Sequence, residues 1–115
     1  MTVVRIDTRR IIDWNSFHNV FSEAFGFPEF YGRNLDAWND CMSDLDAPES
    51  GMSSVHATAG GVVVLQLEHV TDFAVRCPEQ YAAIVECSSF VNWRRIENGA
   101  GPVLALSFYK SSKKE

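Results

Sequence analysis

Lysine is nearly missing from this 115-residue sequence: the three present, Lys110, Lys113 and Lys114, all fall in the last six residues. Residues 1–109 therefore set seven arginines against fourteen acids, a net charge of −7. A surface of that sign repels phosphate backbones, which argues against direct nucleic-acid binding and favours a basic partner. No apolar run approaches the roughly 20 residues that a membrane span needs, so no membrane association is expected. The first residues, MTVVRIDTRR, lack the charged-then-apolar order of a secretion signal, and a cytoplasmic location is expected.

Cysteine is sparse. Cys41, Cys77 and Cys87 are odd in number and have no C-x-x-C spacing, and His18, His56 and His69 are scattered away from them. That pattern offers no metal-ligand set, and three buried, reduced thiols are expected. Also absent are a Ser-His-Asp pattern, a phosphate-cradling glycine loop and a dinucleotide fingerprint. Neither a cofactor nor catalysis is expected. There are no repeats and no low-complexity segments.

What is present is an alternation of strand and helix signals. TVVRI at 2–6 is rich in β-branched residues and reads as a strand. Asp13 is placed to cap a helix running to about Phe25, with Trp14, Phe17, Phe21 and Phe25 on one apolar face. Gly26 stops it and Pro28 prevents a restart. Asn34 is a good cap for a second helix over 35–45. The stretch 46–61 holds proline, glycine and serine without a period. At about sixteen residues it is long for a loop in a compact domain, and a functional or mobile segment is expected.

VVVLQL at 62–67 is apolar at almost every position, as a strand covered on both faces is. Pro78 suits the first position of a further helix. Tyr81, Ile84, Val85, Ser88 and Val91 keep a helical period but Phe90 falls off it, so a break near Ser88 and Ser89 is expected. VLALSFY at 103–109 reads as a third strand. Strands joined by helical connections pair in parallel through right-handed crossovers. The expected fold is α/β, a small three-stranded parallel sheet covered by helices. It is expected to form a single domain over residues 1–110, with 111–115 a disordered basic tail.

The segment LDAWNDCMSDL at 35–45 carries the functional signal. Leu35, Trp38, Met42 and Leu45 form a core-facing stripe. At about 100° per residue that stripe centres near 320° with Leu35 at zero, while Asp36, Asp40 and Asp44 fall at about 100°, 140° and 180°. The acids face outward. Each neighbouring pair costs roughly a few tenths of a kcal/mol in repulsion, and the helix dipole disfavours Asp44. Within residues 29–49 only Arg33 stands against Glu29, Asp36, Asp40, Asp44, Asp46 and Glu49. Folding alone gives no reason for this arrangement, whereas a cationic partner does. The residues alone leave three other readings open: a solvated face, a divalent-cation site completed by loop oxygens, and a hydrolase pair of Asp36 and Asp40. The last needs one carboxyl in an apolar pocket, which an outward stripe does not provide.

FPEFYGRNLDAWNDCM resembles the central segment of the barstar family, intracellular inhibitors of secreted bacterial ribonucleases. The likeness joins a Pro-Glu-aromatic-Tyr-Gly turn to Asn-Leu-Asp-Ala and Asp-Cys, and the order of elements is similar across nearly the whole chain. CPEQYAAIVECSSFVNWRRIENGAGPVLALSF looks like a longer bacterial subgroup of that family. The resemblance implies a non-catalytic protein, monomeric when free, that forms a one-to-one complex with a basic secreted ribonuclease. It places Asp36 and Asp40 at the partner-facing carboxylates. Phe30, Tyr31, Gly32, Asn34 and Leu35 then lie in the connector and first turn that pack on the nuclease.

Asp44 extends the stripe, and Glu97 near the end of the last helix matches a further acidic contact. Phe30 lacks the phenolic hydroxyl that the best-known member carries there. Asn39 stands in place of a large aromatic residue, leaving its contact to the neighbouring Trp38. The implied mechanism is substitution, a helix-borne carboxylate filling the nuclease's phosphate site. The alternative is an acidic interaction module with a non-nuclease partner.

Overall fold

The computed structural model describes residues 1–109; the tail expected over 111–115 lies outside the described residues. Three strands, β1 (Thr2–Asp7), β2 (Val63–Glu68) and β3 (Leu104–Tyr109), pair in parallel in the order β1-β2-β3. Helices α1 (Trp14–Phe25) and α2 (Leu35–Ser43) lie between β1 and β2 in the chain, and α3 (Val70–Arg76) and α4 (Pro78–Glu97) between β2 and β3. This is the α/β class expected from the alternation of patterns. Among the described residues no helix is long and apolar enough to cross a membrane.

The strands run in step, with Thr2 beside Val63 beside Leu104, so side chains two residues apart share a face across the sheet. One face carries Val63, Leu65, Leu67 and Ile6, all fully buried. The other carries Arg5, Gln66 and Ser107, with Arg5 Nε 3.8 Å from Glu68 Oε2. β2 is therefore buried on one side and half-covered on the other, not on both as its VVVLQL run implied. Val64 lies on the outer face, half-buried between Val3 and Ala105 of the neighbouring strands. Its apolar character answers to cross-strand packing.

α1 forms as its signals require. Asp13 accepts from the Ser16 amide at 2.8 Å, and the Ser16 hydroxyl accepts from the Asp13 amide at 3.0 Å, which closes a reciprocal cap. Phe17, Phe21 and Phe25 are wholly buried, while Trp14 in the first turn stays 37% exposed. Gly26 ends the helix in the left-handed region, φ 63°. The 46–61 segment returns to this corner: Ser54 N donates to Phe25 O at 2.7 Å and Ala57 N to Leu45 O at 2.9 Å. Met52, Val55 and Ala57 pack against the core. The long loop is tied down along its second half.

Two features depart from expectation. α3 had no sequence-based prediction, although Val70, Phe73 and Cys77 are buried at helical spacing. α4 runs unbroken for 20 residues. Ser88 turns into the core at 3% exposure, and Ser89 donates back to Val85 O at 3.0 Å, so neither serine interrupts the ladder. Phe90 sits on the outer face with its ring 5.9 Å from that of Trp93. Asn92 ties α4 to β3, accepting from Val103 N at 2.9 Å and donating to Leu104 O at 2.9 Å.

A Cβ added at Gly26 meets Ser54 Oγ and lies 2.7 Å from Ser54 Cβ, in a backbone conformation that L side chains rarely adopt. Gly26→Ala should lower unfolding stability by about 1–3 kcal/mol in urea titrations, with Gly51→Ala, equally left-handed but open to solvent, losing less. Equal losses at both glycines would show that the α1–loop corner is not tightly packed.

Candidate functional site

Trp38, Met42 and Leu45 are wholly buried, and the Trp38 indole meets Phe21 edge-on at 5.5 Å. Burying that stripe turns Asp36 and Asp40 outward. Asn34 starts α2 by accepting from Ala37 N at 2.7 Å through Oδ1. The helix stops at Ser43, two residues short of the expected end, and Asp44 becomes its C-cap. A third aspartate held against the negative end of the dipole would have been unfavourable inside the helix. Asp44 is half-buried, so the outward stripe consists chiefly of Asp36 and Asp40.

The connector before α2 divides into exposed and buried residues. Phe30 is 76% exposed, and Gly32 beside it is open. Tyr31 is 9% exposed, with its hydroxyl 2.6 Å from His18 Nδ1. Burial pushes the Tyr31 phenol far above its ordinary value, and burial, helped by the nearby Arg33, pulls the His18 imidazole down. Both groups thus stay neutral, and the hydrogen bond they share, its direction set by the imidazole tautomer, pins the connector to α1. Leu35 is half-buried, at the edge between core and surface. A depression of about 170 Å³ opens between Pro28, Phe30, Tyr31, Gly32, Ala37, Asp40, Cys41 and Met52. The long loop thus supplies one wall beside Asp40.

The apolar contact area that Asn39 was expected to leave to Trp38 does not reach the surface, because Trp38 is fully buried. Asn39 itself is 8% exposed and its Oδ1 has no hydrogen-bond partner among the described residues. Glu97 is exposed in the last turn of α4, and its side chain makes no hydrogen bond or ion pair among the described residues. Two of the three expected buried thiols, Cys41 and Cys77, are so; Cys87 is half-buried. Burial next to Asp40 and Asp44 pushes Cys41 up to about 11, so it stays protonated at neutral pH.

The charge balance differs most from the sequence reading. Arg33, the single nearby cation in the sequence, donates instead to Asn15 O and Oδ1 at 3.0 and 2.7 Å. The counter-charges arrive from α4. Arg94 Nη2 reaches Asp40 Oδ1 at 3.2 Å, Ser43 Oγ at 2.6 Å and Asn39 O at 3.2 Å. Arg95 holds both carboxylate oxygens of Asp46, at 3.0 and 2.8 Å, and also donates to Ser43 O. The Asp46 carboxyl is lowered mainly by the Arg95 hydrogen bond. α2 has no basic residue in its own last turn, and two arginines from another helix donate to its Asn39 and Ser43 carbonyls. The pair RR was visible in the sequence, but nothing local to it showed which helix it would meet.

Asp36 and Asp44 have no ion pair among the described residues. No group of three or more His, Cys, Asp or Glu side chains among them is placed to hold a metal ion. Asp36 and Asp40, one turn apart and exposed, offer acceptors to a cation arriving from solvent. A family model described as Barstar (barnase inhibitor) matches residues 1–102. The chain belongs to the barstar family. A search of curated proteins found no match. The barstar family is an inhibitor family whose members bind barnase-like ribonucleases, and in this chain the matched region takes in the acidic helix, the connector and both α4 arginines.

His18 gives this protein a pH signature. Its folded value lies below the ordinary 6.5, so below that pH the unfolded chain binds a proton that the native imidazole resists. Stability therefore falls as pH drops through about 6.5. Urea unfolding at pH 7.5 and 5.5 should show a loss in the wild type that is smaller in His18→Gln. Equal losses in the two proteins would show that the His18–Tyr31 contact is not what resists protonation.

Proposed function

We propose that this protein inhibits a basic ribonuclease by presenting the outward face of α2 to the nuclease active site. Asp40 enters the cluster of cations that normally holds the scissile phosphate, and Asp36 supports it one turn earlier. A carboxylate satisfies those cations through charge-assisted hydrogen bonds while offering no phosphodiester to cleave. Exposed Phe30 and Gly32 supply close, flat contact beside it, and the depression next to Asp40 admits a partner side chain. The net charge of −7 over residues 1–109 steers a basic protein toward this face. Glu97, Asp44 and Leu35 form the rim; buried Tyr31 and Asn39 act from behind by holding the connector and helix in place.

The observation that carries this reading is the coupling of a buried Trp38 stripe to exposed Asp36 and Asp40 in a barstar-family chain. Inhibition needs no group on this protein to turn over. A one-to-one complex in the cytoplasm, with the nuclease secreted, is the arrangement proposed.

Calorimetric titration against small basic bacterial ribonucleases, catalytically inactive forms included, tests the proposal. The wild type should bind one-to-one and quench nuclease activity. Asp40→Ala should weaken binding by about 2–5 kcal/mol, roughly thirty- to several-thousandfold, through faster release. Binding that survives Asp40→Ala would place the interface on another face, and no binding to any ribonuclease would favour a non-nuclease partner.

A further inference from the structure

Asp40 is not idle in the free protein, because Arg94 already occupies one of its oxygens. The contact joins Nη2 to Oδ1 at 3.2 Å, between side chains 33% and 61% exposed. Arg94 has other anchors: Ser43 Oγ at 2.6 Å, Asn39 O at 3.2 Å, and the Phe90 ring, whose centroid lies 5.3 Å from the guanidinium carbon. Those contacts hold the guanidinium against the C-terminal half of α2 whether or not Asp40 takes part. The carboxylate is the more exposed partner.

We propose that Arg94 is a built-in competitor for Asp40, and so a specificity-determining residue of the binding face. This rests on the reading of Asp40 as the carboxylate that enters the partner's cation cluster. A cation arriving at Asp40 meets a positive charge that cannot move away, so part of the attraction is cancelled by repulsion from Arg94. Pre-organisation offsets little of this, since aspartate has few rotors to freeze. The side of approach is filtered as well. A partner whose cation comes over Gly32 and the connector keeps its distance from Arg94, whereas one coming from the α4 side meets the guanidinium directly. The strongest binder is therefore a nuclease whose cationic cluster is narrow and lies over the start of α2.

The test is a double-mutant cycle of Arg94→Gln and Asp40→Asn, titrated against two probes: catalytically inactive barnase and a deca-arginine peptide. Arg5→Gln removes the same charge from the outer face of the sheet, where Arg5 lies against Glu68, so it reports the change in long-range attraction alone. Arg94→Gln should tighten binding roughly two- to fivefold more than Arg5→Gln, and Asp40→Asn should cost more in the Arg94→Gln background by that same factor. Thermal melts check folding, and Arg94→Lys, which keeps the charge without the planar fork, should lie between wild type and Arg94→Gln.

No extra tightening over Arg5→Gln, or an equal Asp40→Asn penalty in both backgrounds, would overturn the proposal. Weaker binding by Arg94→Gln would overturn it too, by showing that the arginine assists the partner. The peptide decides the role of Arg94 by itself. Failure of the inhibitor reading would appear separately, as absence of barnase binding in every variant.

Discussion

The indole of Trp38 is wholly buried against Phe21, 5.5 Å away edge-on, and the direction in which α2 faces follows from that contact. Burying a large aromatic side chain is among the stronger single contributions to a small core, of the order of a few kcal/mol. It prevails here although its Nε1 has no hydrogen-bond partner among the described residues. With Met42 and Leu45 also enclosed, rotating α2 would expose three large apolar side chains and bury aspartates. The acidic face is therefore held outward chiefly by the core.

That arrangement leaves a local excess of negative charge, which the fold relieves only in part. Arg95 forms a two-pronged contact with Asp46 and, with Arg94, serves carbonyls in the C-terminal half of α2. Arg94 also touches Asp40, while Asp36 keeps the first turn, where the dipole favours it. The helix is stabilised at its C-terminal end by cations and left unneutralised at its start. The outward acidic face and a structural clamp thus share one helix, with Asp40 at the boundary between them.

Much of this was legible in the residues. The cap at Asp13, the stop at Gly26, the cap at Asn34 and the Leu35–Trp38–Met42–Leu45 stripe each rest on a local rule, and local rules survived folding. What was not legible depended on contacts far apart in sequence. Asn39 reads as an exposed polar residue, yet it is buried with its carbonyl beneath Arg94, 55 positions later. The apolar run of β2 gave no means of telling a covered face from one half-shielded by Val3 and Ala105. α3 was missed because seven residues give too little period to stand out. A break in α4 was inferred from Phe90, which leaves the core face only to pack on Trp93 and beneath Arg94.

In the proposed complex, α2 stands where the phosphate of a substrate stands. Competition for one site tests it most directly. A ribonuclease that this protein inhibits would be titrated with it in rising concentrations of a nucleotide 3′-monophosphate that occupies the active site. Mutual exclusion is expected, with the apparent affinity falling in proportion as nucleotide saturates the nuclease. Unchanged affinity at saturating nucleotide, with both ligands bound at once, would contradict it.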